Sequence, residues 1–171
     1  MPIVATDLLL RLSGGSGNTD PDLALGGVMS TSTSISTTVS EENLFNNFTA
    51  AETTAGSTKY RGLYLLNNHG SISLTASAVY IPTNTPSTTT AAAIALAGEG
   101  VNATMETIAN ETTAPVGETF SAPATFGAGL STGTLTAGQR YGVWERIIVD
   151  ASSPAYDNDD WQIAWQGTTT A

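Results

Sequence analysis

Asp157, Asn158, Asp159 and Asp160 follow one another in the sequence. Repulsion among three carboxylates in one loop is relieved by a cation. Asp157, Asp159 and Asp160 are therefore the candidates for a metal site, although a solvated loop between two strands explains them more simply. Asn18, Asp20 and Asp22 alternate as the oxygen ligands of a calcium loop begin. There the pattern stops: Pro21 intervenes, Leu23 stands where a Gly is required, and no bidentate Glu follows, so an Asx-rich turn is expected. His69 is the only His, set between Asn68 and Gly70 in a turn sequence, with no nucleophile elbow to build a Ser-His-Asp set around it. Ser13-Gly14-Gly15-Ser16-Gly17 lacks the Lys of a phosphate loop. The pair Glu41-Glu42 has no defined separation of the kind that glycoside hydrolysis needs. Three Asn-x-Thr sequons, at Asn47, Asn102 and Asn110, are chance matches in a Thr-rich chain. With no Cys there is neither thiolate nor disulfide. The residues predict no catalytic constellation and no cofactor.

The elements around these residues read as strands. Leu135–Gly167 is the most structured stretch. In Trp161–Gly167 the residues Trp161, Ile163 and Trp165 alternate with Gln162, Ala164 and Gln166, the period of a strand with one wet side. With Tyr141–Asp150 it predicts a long antiparallel hairpin closing a β-sandwich. Upstream, residues 3–12 read as a first strand or extended arm, and Ser13–Asp22 as a loop. The Ser/Thr run Ser30–Ser40, carrying only Ile35 and Val39 as apolar residues, reads as an edge strand or arm. Glu41–Ala55 alone has helical character, from Leu44, Phe45 and Phe48, with Ser40 as its cap. Lys59–Asn67 is apolar on both faces, as in a covered central strand. Ile72–Ile81 alternates, and the two form a hairpin or a sheet-to-sheet crossing around a Gly-containing turn. Strands are also expected at Ala91–Gly98, Met105–Ile108 and Glu118–Phe120. The fold class is all-β: a single sandwich of about eight strands with at most one short helix. Residues 1–40 supply an arm, edge strand and loops, and residues 41–171 the body.

Composition narrows the partners. A chain of 171 residues is long enough for one domain with a substantial core. Its net charge is −10, with Lys59 and four Arg as the only cations. Five scattered cations cannot replace counterions along a nucleic acid, nor draw the chain to an anionic membrane. No basic n-region opens the sequence, and the longest small-apolar run, Ala91–Ala97, is too short to span a bilayer, which points to synthesis in a cytoplasm. On Tyr141–Asp150 one face carries Tyr141, Val143, Ile147 and Val149, the other Trp144 and Ile148 beside Arg146. One face is core; the second awaits a loop or another subunit.

Two resemblances sharpen this reading. Leu135-x-x-Gly138-x-x-Tyr141 resembles the tyrosine corner of immunoglobulin-like and fibronectin type III sandwiches, although a jelly roll can end in the same way. Leu12–Pro21 continuing to Leu25-Gly26-Gly27, and Leu44-Phe45 with Ala51-Glu52, Ala55-Gly56, Tyr60-Arg61 and Tyr64–Asn67, resemble small virion structural proteins of tailed bacteriophages. Ile81, Thr85-Pro86, Ala114-Pro115 and Phe120–Pro123 extend the similarity over most of the chain in short pieces. The resemblance implies a non-enzymatic capsid decoration, or cement, protein on the outer head surface. It would bind the major capsid protein as a homotrimer and stabilise the head. Its expected contacts are Ile3, Val4, Leu8 and Leu10 of the N-terminal segment, Ile35 and Val39, and Trp144 and Ile148. The rival reading is a tail or baseplate component whose Trp144 or Trp161 stacks on host glycans.

Overall fold

The structure, a computed structural model, describes residues 2–35, 43–155 and 159–169. Nine strands are defined among them: β1 (Leu8–Leu12), β2 (Gly26–Gly27), β3 (Ser57–Asn67), β4 (Leu74–Thr83), β5 (Thr90–Leu96), β6 (Met105–Thr107), β7 (Leu130–Leu135), β8 (Arg140–Val149) and β9 (Gln162–Thr169), with one helix, α1 (Ala50–Ala55). A four-stranded sheet runs β1-β3-β8-β5, a three-stranded sheet β7-β4-β9, and a small ribbon pairs β2 with β6, all antiparallel.

The two larger sheets face each other across one core. Leu65, Val143, Ile94 and Ala92 from the first meet Val79 and Ile81 from the second, with Trp161, Ile163 and Trp165 packed alongside. The other face of the four-stranded sheet is covered too. Tyr64, Trp144 and Ala95 pack under Met105 and Ile108. Two glycines permit that approach. A Cβ on Gly142 would lie 2.5 Å from Met105 Cγ, and one on Gly26, where φ is +87°, would lie 1.8 Å from Glu106 O. Burial on both sides explains why β3 reads as a continuous apolar run.

Of the two arrangements open to Lys59–Asn67 and Ile72–Ile81, a hairpin or a sheet-to-sheet crossing, the chain adopts the crossing, since β3 and β4 lie in different sheets. Asn67, fully buried, holds the corner: its Nδ2 donates to Ile72 O and Leu135 O, each at 2.9 Å, and its Oδ1 accepts from His69 N at 3.1 Å. His69 Nδ1 accepts from Ser71 N and Ile72 N, so the His is a turn residue.

Several expectations need correction. The closing hairpin does not form: β8 is central in the four-stranded sheet and β9 pairs with β4. The intervening residues carry the chain from one sheet to the other, and amphipathic alternation is the same whichever sheet a strand joins. Glu118–Phe120 forms no strand, while β7 was unforeseen. The helix is confined to Ala50–Ala55. Thr49 caps it, its Oγ1 accepting from Glu52 N at 3.3 Å while Glu52 Oε2 accepts from Thr49 N at 2.7 Å. Leu44 and Phe45 are core residues in irregular chain ahead of the helix. The proposed Ser40 cap lies outside the described residues. A tyrosine hydroxyl does tie another element to the four-stranded sheet, but it is that of Tyr64 and the element is the β2–β6 ribbon: it donates to Gly27 O at 2.6 Å and accepts from Met105 N at 2.8 Å.

Candidate functional site

Alternation on β3 and β8 places Lys59, Arg61 and Glu145 on the same inner face as Leu63, Leu65 and Val143. All three are buried. Lys59 Nζ lies 3.3 Å from Glu52 and 3.5 Å from Glu111, donates to Asn46 Oδ1 at 2.9 Å, and sits 5.0 Å from the Phe48 ring centre. Arg61 Nη2 bonds Asp22 at 2.9 Å and Glu111 at 2.5 Å, with Phe45 stacked 5.4 Å from its guanidinium. Partial burial, the largest single influence, pushes the Glu52 carboxyl up, but the Thr49 amide and hydroxyl, and after them Lys59, together outweigh it and hold the group below the usual carboxylate range.

Glu145 is different. It is the cross-strand neighbour of Arg61, yet no ion pair joins them, because the guanidinium turns to Asp22 and Glu111. Among the described residues the one hydrogen bond to its carboxyl group is from Trp161 Nε1 at 3.3 Å. Burial pushes its pKa up to about 8, opposed only by the Trp161 bond, so the carboxyl is protonated at neutral pH. A raised carboxyl inside a cleft would be a general-acid candidate. This one is 4% exposed and roofed by Trp161, which in turn packs on Phe45 at 5.6 Å. No substrate can reach it.

The metal candidates separate. Asp159 accepts from Ser87 N at 3.1 Å and from Thr90 Oγ1, clamping the start of β5. Asp160 is exposed, and Asp157 lies outside the described residues. Asn18 Oδ1 and Asp20 Oδ1 accept from backbone amides two residues on, the expected Asx turns. Among the described residues no group of three or more His, Asp or Glu side chains is arranged to hold a metal.

The expected contact residues separate too. Leu8, Leu10 and Ile35 come together, with Ala5, Thr6, Leu9, Ser34 and Trp165, around an open apolar groove of about 640 Å³. Ile3 is half-buried nearby in sequence and Val4 is 53% exposed. Trp144 is fully buried under the chain's own β2 and β6 ribbon, with its ring against Gly26, so it is unavailable to a partner subunit or a glycan. Ile148 is half-buried on that same loop-covered face, and Val39 lies outside the described residues. Trp165, not among the expected contacts, also lines the groove. Its place on the inner face was legible, but its position at a sheet edge was not. Its Nε1 donates to Ser77 Oγ at 2.6 Å, which fixes the indole in the groove wall.

Among the described residues the groove holds no titratable side chain, and Trp165 of the edge strand β9 forms part of its wall. Its described lining is apolar apart from the Thr6 and Ser34 hydroxyls. Comparison of the chain with family models, with curated proteins and with solved structures gives no match in any of the three.

Proposed function

We propose that this chain is a non-enzymatic structural protein that decorates the outer surface of a tailed-phage head and stabilises it by binding the major capsid protein lattice. The single observation that carries the reading is the uncharged groove, walled by Leu8, Leu10, Ile35 and Trp165, on a body of net charge −10. Such a body is repelled by packaged DNA, while its groove can clamp a neighbouring protein. The resemblance in Leu12–Gly27 and Leu44–Asn67 supports the virion as the setting. A ligand that binds only the assembled shell stabilises it by mass action.

Electron cryomicroscopy of the intact particle tests location directly. Density for the chain over the capsid lattice is expected; density on the tail alone rejects the proposal. Particles lacking the chain should release DNA at lower temperature and under milder osmotic shock than complete particles.

A further inference from the structure

The chain has a single lysine, and it lies inside the fold: Lys59 is 2% exposed. A lysine is seldom buried this far unless its head is paired. Two carboxylates flank the ammonium, yet each has a second partner of its own. Glu111 Oε2 bonds Arg61, and Glu52 Oε2 accepts from the Thr49 amide. The third partner of Lys59 is uncharged. Nζ donates to the side-chain amide oxygen of Asn46 at 2.9 Å, 13 residues back along the chain. The amide carbon is one bond from that oxygen. Phe48 lies over the ammonium, its ring centre 5.0 Å away. An amine, an amide carbonyl and a carboxylate therefore meet at one point beside an aromatic ring.

We propose that Lys59 and Asn46 join covalently, forming an isopeptide bond within the folded chain and without an enzyme. The Lys59 ammonium gives a proton to Glu52 Oε1, 3.3 Å away. Both groups are then neutral, and burial disfavours charge. The Nζ lone pair swings from the oxygen to attack Asn46 Cγ. A new C–N bond forms as the carbonyl opens to a tetrahedral adduct. Glu52 returns its proton to Nδ2, the carbonyl re-forms, and the bond from Cγ to Nδ2 breaks. The ammonia that departs takes the surplus proton from Nζ and leaves as ammonium. Glu52 ends as the carboxylate it began as, and nothing is oxidised or reduced. Fixing the amine against the amide replaces the encounter that makes this reaction slow between free molecules.

The surroundings suit the product as well as the reactants. Asn46 is exposed, which gives the ammonium a path to solvent. Loss of the lysine cation strands neither carboxylate, since Glu111 keeps Arg61 and Glu52 keeps Thr49. The bond staples the irregular segment that carries the core residues Leu44 and Phe45 to strand β3. It constrains the unfolded chain as a disulfide would, in a sequence with no cysteine.

Mass spectrometry of the full, denatured chain should give a value about 17 Da below that of the sequence, the loss of one ammonia. Trypsin should fail to cut after Lys59, so residues 12–61 should appear as one peptide carrying the deficit. A cyclised asparagine loses the same mass but leaves Lys59 open to trypsin. Neither reading needs a variant. Asn46→Ala, at an exposed position, should restore both the full mass and the cut. Asn46→Asp should lose water instead, about 18 Da. Glu52→Gln retains an acceptor for the Thr49 amide and should slow bond formation about a hundredfold or more. Full mass in the unaltered chain, cleavage after Lys59 in the lighter form, the same loss in Asn46→Ala or an undiminished rate in Glu52→Gln overturns the proposal. None of these readings involves a shell, so this proposal and the capsid reading can fail separately.

Discussion

Two regions beside the inner face of the four-stranded sheet solve opposite problems. At Lys59, Arg61 and Glu145 the chain has put charge inside the fold and closed it off with Glu52, Asp22, Glu111 and the rings of Phe45, Phe48 and Trp161. At Leu8, Leu10, Ile35 and Trp165 it has put apolar surface at an edge and left it open. A buried ion pair is weak evidence for stability, but losing one partner is costly. An open apolar groove costs the fold little and is useful only when something fills it. The charges of Lys59, Arg61 and Glu145 therefore lie out of reach of solvent, while the residues lining the open groove are uncharged.

The comparison predicts large folding effects in the closed region and small ones in the open region. Arg61→Ala should be the most damaging, by about 3–5 kcal/mol in chemical denaturation, since it removes a fully buried guanidinium shared by two carboxylates. A loss below about 1 kcal/mol would mean that the cluster contributes little to the fold. Glu145→Gln should stabilise by up to several kcal/mol at pH 8, because it removes a carboxyl whose ionised form is buried without a cation. The sign follows from proton binding. Between pH 4.5 and about 8 the folded chain holds a proton on Glu145 that the unfolded chain has released, so stability falls as pH rises across that window. The Gln variant should lose this component, and identical pH profiles for the two proteins would contradict the burial argument. Thr49→Ala should cost about 1 kcal/mol through loss of the helix cap, measured by thermal melting. Gln166→Glu, on the exposed side of edge strand β9, should change stability by less than about 0.5 kcal/mol in the same denaturation. A large folding defect there would erase the distinction between the regions.

Strand existence was largely legible in the sequence, and strand partnership was not. The apolar pattern of Lys59–Asn67 and the alternation of Ile72–Ile81 anticipate β3 and β4, while leaving open whether the two form a hairpin or cross between sheets. The same alternation in Trp161–Gly167 is silent about which sheet receives the strand, so a hairpin was expected where the chain crosses over. Trp144 was misplaced for a related reason. Apolar residues on both faces of a strand demand a second cover, and only the fold reveals that β2 and β6 provide it. Glu145 was overlooked although its parity was readable, because the face carrying Val143, Ile147 and Val149 must also carry residue 145. Lys59 and Arg61 were likewise on the page, in step with Leu63 and Leu65. Their carboxylate partners come from loops and α1, at sequence separations that no periodicity encodes.

Asn84 imitates a neighbouring peptide unit: its amide satisfies both backbone groups of Ala92 at the rim of β5. Ser121 does the same for Ile94 two residues along. Losing either alone leaves the other in place, so the rim of β5 is guarded twice against an added strand.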